Sequence, residues 1–258
     1  MFLLPKQKTE PHADETALQE LFAGKKEVLI DCLGDSITWG MFSSPELEQK
    51  IASGEIQTGY GDGGQENLGI YVSGAFQSKP SYPEVLEQQL NQRLKGQGEE
   101  TTVQTVNDGL SGDWITETTY ERMTCDPDLV ILLMGGNNYY FGYPIEGMFE
   151  ANLRHFQEKK IPVFLVNYAL YPGEYHESAF RNANEWMAKI AKEWNLPLFD
   201  FYSYIESLVY EGEGKAPEGK CRREELFSPD HIHLSEKGYE LLGNFVADSF
   251  LKEVDPQS

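Results

Sequence analysis

Five short apolar runs set the frame of this chain: residues 28–33, 102–106, 129–134, 162–167 and 197–201. Each is rich in Val, Ile, Leu or Phe, and most show no polar alternation. Such runs suit strands buried on both faces, as in a parallel sheet covered by helices. Helical spacing fills the gaps. Residues 84–94 place Val85, Leu86, Leu90 and Leu94 on one stripe, and 145–159 do the same with Ile145, Met148, Phe149, Leu153 and Phe156. Residues 179–194 carry Phe180, Ala183, Met187, Ile190, Ala191 and Trp194, and 234–251 carry Tyr239, Leu241, Leu242, Phe245 and Val246. A further helix over 15–22, ended by Gly24, precedes the first run. Strands alternating with helices imply right-handed crossovers. The expected architecture is α/β, a three-layer α/β/α sandwich around a mainly parallel five-stranded sheet.

At 258 residues the chain is long enough for one well-buried core, and residues 1–258 read as a single domain without repeat or linker. A formal net charge of -21 repels phosphate backbones and anionic lipid, so neither nucleic acid nor membrane is an expected partner. The three cysteines, Cys32, Cys125 and Cys221, show no C-x-x-C spacing and make a poor disulfide framework. The apolar run after Met1 is too short for a signal peptide, and no stretch is long enough to span a bilayer. That pattern predicts a cytoplasmic protein, or a secreted one if a leader has been removed.

Residues 43–81 interrupt the alternation. They lie between the first run and its crossover helix and contain Gly54, Gly59, Gly61, Gly63, Gly64, Gly69 and Gly74 with Tyr60, Tyr71 and Phe76. A long Gly-rich connection in a compact domain is either functional or a loose surface loop. Read functionally, it is a lid or a substrate-binding insertion.

Ligands of open α/β sheets bind beyond the C-terminal ends of the strands. Three run ends carry polar clusters: Gly34-Asp35-Ser36-Ile37-Thr38, Asn107-Asp108-Gly109-Leu110-Ser111-Gly112-Asp113, and Gly135-Gly136-Asn137-Asn138. A fourth, Asp230-His231-Ile232-His233, precedes the last helix. A serine hydroxyl is a weak nucleophile and needs an adjacent base, which in turn needs an acid to fix its tautomer. Ser36 sits where a strand turns. Asp230 and His233 stand three apart, so one short segment can supply acid and base. Donors for an oxyanion are available from the N–H groups of Ser36 and Gly112 and from the Asn137 amide.

These four clusters resemble, in order, sequence blocks of the SGNH, or GDSL, hydrolases, a family of serine esterases and lipases. Gly34-Asp35-Ser36 resembles the block that holds the nucleophile. Residues 107–113 resemble the block whose glycine, here Gly112, donates to the oxyanion. Gly136-Asn137-Asn138 resembles the G-x-N-D-like block whose Asn, here Asn137, also donates. Asp230-x-x-His233 resembles the block of acid and base. The resemblance implies an SGNH-hydrolase-like (flavodoxin-like) fold, a Ser36–His233–Asp230 triad and no cofactor. One position departs: the family usually has Asp where this chain has Asn138, which bears on local hydrogen bonding more than on the reaction. Thr38 stands where a G-x-S-x-G elbow would have its second glycine, which excludes the α/β-hydrolase scaffold.

Each of these residues also has a plainer role. Ser36 alone could cap a helix, Asp35 orders the turn, Asn137 suits a turn, and Gly112 permits positive φ. Of the five histidines, His12 lies near the N-terminus, and His155 and His176 lack an acidic strand-end setting. His231 competes with His233 for the base, but the family pattern and the three-residue spacing favour His233 and leave His231 as a neighbour that packs or faces solvent. Asp230, His231 and His233 could also ligate one metal, although a further convergent ligand is missing from the sequence pattern. Cys32 lies within an apolar run and reads as an inert core thiol.

Aromatics follow each block: Trp39 the first, Trp114 the second, and Tyr139, Tyr140, Phe141 and Tyr143 the third. A rim built from Trp39, Trp114, Tyr139 and Tyr140 could stack on sugars or hold an acyl chain. The expected activity is hydrolysis of carboxylic esters, with small acyl groups such as acetyl removed from a small-molecule or oligosaccharide substrate. Longer acyl chains, as in a lipase or thioesterase, are the alternative. A non-catalytic SGNH-like carbohydrate-binding module is the alternative from another class.

Overall fold

The computed structural model describes residues 25–41, 53, 58–60, 70–72, 78 and 80–254. The expected helix over 15–22, and most of the Gly-rich insertion with its expected role as a lid, lie outside the described residues. Strand β1 (Glu27–Gly34) is followed by the single turn α1 (Ser36–Trp39). Within the insertion, β2 (Thr58–Tyr60) and β3 (Ile70–Val72) form an antiparallel pair. Then come α2 (Tyr82–Gln97), β4 (Thr102–Gly109), β5 (Leu129–Leu133), α3 (Gly136–Phe141) and α4 (Met148–Lys159). The chain continues through β6 (Val163–Val166), α5 (Glu177–Trp194), β7 (Leu198–Phe199), α6 (Phe201–Leu208) and α7 (Glu236–Val254).

The main sheet has five strands in the order β4-β1-β5-β6-β7, and every pairing is parallel. This is the doubly wound order in which the chain reverses direction across the sheet between β1 and β5. Every residue of β5 (LVILL) and of β6 (VFLV) is buried, as their uninterrupted apolar sequences require when helices cover both faces. β4 lies at an edge and is mostly half-exposed, which explains its Thr and Gln. Helix α2 packs on α7, and α3 packs on α5. The first contact is so close that a Cβ on Gly243 would lie 2.5 Å from Cβ of Val85. The core includes Phe164, whose ring lies 5.2 Å from Phe199 and 5.7 Å from Phe250.

The fifth apolar run is cut short. It forms only Leu198–Phe199, because Asp200 caps a new helix by accepting from Ser203 N at 3.1 Å. Phe201 therefore starts α6 rather than ending a strand. No helix among the described residues is long and apolar enough to cross a membrane.

Candidate active site

All four polar clusters meet at the C-terminal edge of the sheet. Gly34 ends β1, and a Cβ there would lie 1.9 Å from Oγ1 of Thr38 and 2.8 Å from the Leu133 carbonyl. Only glycine lets α1 start directly on the strand end. Asp35 caps that turn, its Oδ1 accepting from Ile37 N at 3.0 Å. Ser36 is thus the first helical residue, and its N–H has no carbonyl within the helix to bond. Gly109 closes the neighbouring strand end against the same turn, where a Cβ would lie 2.1 Å from Trp39 N.

The Ser36 hydroxyl lies 2.8 Å from Nε2 of His233, and His233 Nδ1 lies 2.7 Å from Oδ2 of Asp230. Asp230 Oδ1 accepts from the N–H groups of Ile232 and His233, each at 2.9 Å. Burial pushes the Asp230 carboxyl up. The His233 charge, the ring hydrogen bond and the two backbone donors outweigh that and hold it below the usual carboxylate range. With Nδ1–H donating to Asp230, Nε2 is left free to accept the hydrogen bond of the Ser36 hydroxyl. The segment that carries the pair is clasped at its ends. Ser228 N donates to the His233 carbonyl, Ser228 Oγ to the Leu234 carbonyl, and His231 N to the Ser228 carbonyl, at 2.8, 2.8 and 2.9 Å.

Asn137 comes from the second position of α3. Its Nδ2 donates to the Asp113 carbonyl at 2.6 Å, and an amide nitrogen carries a second hydrogen. Gly112 has φ +74 in the loop after β4, and Ser36, Gly112, Asn137 and His233 line one cleft. Asn138, fully buried, accepts from Ile115 N at 2.9 Å and donates to the carbonyls of Ile115 and Pro144 at 3.0 and 2.8 Å. An aspartate could not make both donations, which accounts for the amide at this position.

The cleft encloses about 520 Å³, open to solvent, and its remaining walls include Met41, Tyr140, Phe141, Tyr175, Phe180 and Ile232. Of the four aromatics expected at the rim, Tyr140 lines it. Trp39, Trp114 and Tyr139 do not. The backbone of Trp39 is wedged against Gly109, Trp114 lines an adjoining groove, and Tyr139 packs on the core. Phe141 lines the cleft with Tyr140, whose hydroxyl donates to or accepts from Tyr175 at 3.0 Å.

Three contributors escaped the sequence patterns. Tyr168 is buried beneath the site. Its hydroxyl donates to Asp35 Oδ2 at 2.6 Å and accepts from Gly136 N at 3.0 Å, joining the Ser36 turn to the Asn137 turn. Burial pushes the Asp35 carboxyl up to about 6, against the opposing hydrogen bonds from Tyr168 and Ile37. His176 holds the acid–base segment from outside, with Nε2 donating to the His231 carbonyl at 2.8 Å. His231 itself has φ +57, stacks on Tyr171 at 3.9 Å and bonds Glu174 through Nδ1 at 2.6 Å. Tyr175 is the third, three-quarters exposed on the cleft rim. Cys32 is fully buried and burial pushes its thiol well above the ordinary value, in keeping with a core role. No group of three or more His, Cys, Asp or Glu among the described residues is arranged to hold a metal ion.

A serine, an imidazole and a carboxylate in hydrogen-bond series at the strand ends of a parallel sheet define a serine hydrolase arrangement. The sequence matches the GDSL-like Lipase/Acylhydrolase family over residues 32–241. This chain belongs to that family of serine ester hydrolases. Similar solved structures include the lipase/acylhydrolase from Enterococcus faecalis, at 22% identity and TM-score 0.53, covering 90% of this chain and 99% of that one. The acetyl xylan esterase AlAXEase has 17% identity and TM-score 0.54, over 86% of this chain and 99% of its own. The acetylxylan esterase Axe2 from Geobacillus stearothermophilus has 18% identity and TM-score 0.51, over 91% and 96%. At these identities the likeness is one of fold. No curated protein matches the sequence.

Proposed function

We propose that this protein hydrolyses small acyl esters, acetyl foremost, carried by sugars, through a Ser36–His233–Asp230 triad. The observation that carries the reading is His233, with one ring nitrogen 2.8 Å from the Ser36 hydroxyl and the other 2.7 Å from Asp230. His233 takes the Ser36 proton as Oγ attacks the ester carbonyl. The tetrahedral oxyanion is met by Ser36 N–H, Gly112 N–H and the free hydrogen of the Asn137 amide. His233 then returns the proton to the leaving alcohol, and water repeats the cycle to free the acid. No cofactor enters these steps.

The cleft beside Ser36, about 520 Å³ and walled largely by aromatic and aliphatic side chains, has room for a small acyl group. The open aromatic rim suits the sugar that carries it. Two of the similar folds are named as acetylxylan esterases, which agrees with this substrate class.

The test compares p-nitrophenyl acetate, butyrate and longer esters with wild type and Ser36→Ala, with and without chelator. The acetate should turn over fastest, chelator should change nothing, and Ser36→Ala should abolish activity. Activity that survives in Ser36→Ala and falls with chelator would point to a metal-dependent hydrolase and overturn the triad. A rate that climbs with acyl length would move the assignment to a lipase or thioesterase. Sugar binding without turnover of any ester would mark a binding module.

A further inference from the structure

The Ser36 cleft has a neighbour. A second hollow of about 1310 Å³, open to solvent, lies on the other side of the loop after β4. Ser111 and Gly112 of that loop face the cleft, whereas Leu110 and Asp113 face the second hollow. The two differ in chemistry. The cleft is walled mainly by aromatic and aliphatic side chains, and the groove by Asn107, Asp108, Thr116, Thr118, Glu121 and Thr124 among others.

A line of rings connects them. Trp114, which lines the groove, lies 4.7 Å from Tyr143. Tyr143 lies 6.0 Å from Phe141, Phe141 lies 4.9 Å from Tyr140, and Tyr140 lies 6.0 Å from Tyr175. Tyr140, Phe141, Tyr143 and Tyr175 are the exposed large apolar side chains among the described residues. Exposed apolar surface gathered on one rim, not scattered, marks a place where something binds. The spacing of neighbouring rings is comparable to the width of a pyranose.

We infer that cleft, ridge and groove form one elongated surface for an acylated neutral oligosaccharide. Its ester-bearing unit sits at Ser36, and further sugar units run along Tyr140, Phe141 and Tyr143 to Trp114. This rests on the sugar-ester reading above and extends it from a single sugar to a chain. A sugar presents an apolar ring face to the aromatics and hydroxyls to the groove's oxygens, whereas a fatty chain would bring those oxygens no hydrogen-bonding group. Neutrality follows from charge. The groove holds Asp108, Asp113 and Glu121, and Arg122, the one cation among its described lining residues, is already paired with Asp113 at 2.6 Å. An anionic sugar would find no free counter-charge among the described lining residues.

The test is calorimetric titration of Ser36→Ala with β-1,4-linked xylo-, cello- and chito-oligosaccharides of increasing length. At least one series should gain about tenfold in affinity from monomer to tetramer, the size of a few added ring contacts. Trp114→Ala in the same background should flatten that gain while near- and far-ultraviolet circular dichroism stay native. Tyr143→Ala, on an exposed ring, repeats the test at a site where misfolding is not at issue. Length-independent binding in all three series overturns the inference, as does a gain that survives both ring deletions. A concentration-dependent dimer lost on Tyr143→Ala would put a second copy on the ridge and overturn it too. Wild-type hydrolysis of p-nitrophenyl acetate is measured in parallel. Turnover without length dependence leaves the sugar-ester reading standing and removes only the extended surface.

Discussion

Tyr168 and Asp35 meet through a 2.6 Å hydrogen bond buried under the nucleophile, and the same Tyr168 hydroxyl accepts from Gly136 N. Asp35 fixes the N–H of Ile37, next to Ser36, and Gly136 precedes Asn137. One phenol therefore sets the relative position of Ser36 and Asn137, the proposed nucleophile and oxyanion donor. Tyr168→Phe should lower kcat for p-nitrophenyl acetate roughly tenfold with KM little changed, as for a group that aligns the transition state. It should also destabilise the fold by about 1–3 kcal/mol, because Asp35 loses a buried partner. Steady-state kinetics and urea unfolding read the two effects. A KM change at constant kcat would assign Tyr168 to binding instead.

Asp230 tests the proposed triad from its far end. Asp230→Asn keeps the shape but favours the wrong His233 tautomer, with Nε2 protonated towards Ser36. The expected loss in kcat is roughly 10³–10⁴-fold. Single-turnover assays with p-nitrophenyl acetate check it, and a loss under tenfold would remove Asp230 from the reaction.

Asn137→Ala removes one proposed oxyanion donor while the proposed backbone donors of Ser36 and Gly112 remain. A fall in kcat of about 10²–10³-fold is expected, with substrate binding little affected. Equal rates for variant and wild type would leave Asn137 a turn residue whose amide serves only the Asp113 carbonyl.

Asn138→Asp would restore the residue usual in the family at a position built here for an amide. The carboxylate would face the carbonyls of Ile115 and Pro144, to which Asn138 now donates. Burial and those carbonyls raise its pKa, so the folded state holds the proton more tightly than the unfolded chain. Stability relative to wild type should therefore fall as pH rises from about 4 to 8. Thermal melts across that range decide it, and a pH-independent difference would refute the argument.

Asp31 gives a pH effect in the native chain. It is fully buried in β1, and its Oδ1 has no hydrogen-bond partner among the described residues. Burial and then Asp108 push its carboxyl up to about 8, against Arg122 and Cys125. An acid whose folded pKa is raised binds its proton more tightly when folded. Its contribution to stability is therefore fully present below the unfolded pKa and lost as pH climbs to about 8. The slope from this one proton is at most about 1.4 kcal/mol per pH unit. Asp31→Asn should remove that slope and be more stable than wild type at pH 9, by urea unfolding. A variant that parallels wild type at every pH would show that Asp31 stays ionised.

The parallel sheet was legible because β5 and β6 are buried on both faces and so cannot carry polar residues. Their sequences say as much without coordinates. The four polar clusters were legible because each sits immediately after a strand or before the last helix, where chain order fixes position. Tyr168 was not legible. It stands 133 positions from Asp35, and nothing in either neighbourhood signals the contact. The expected rim failed in part for another reason. Tyr139, Tyr140 and Phe141 are consecutive on α3, and consecutive helical side chains diverge by roughly 100°. Tyr139 therefore turns to the core while its two neighbours reach the cleft. Asp200 ended the last strand early because a capping carboxylate after two strand residues favours the helix that follows.

The clasp at Ser228 joins Asp230 and His233 into one small module, held to the body through His176, Glu174 and the Ser36 contact. Asp230 and His233 are thereby tied to one another as well as to Ser36. On the proposed mechanism, heat or denaturant that frees this segment should withdraw Asp230 and His233 from Ser36 together. Whatever grips the outside of this module, through Tyr171, Glu174 or His176, holds a single handle on the whole reaction.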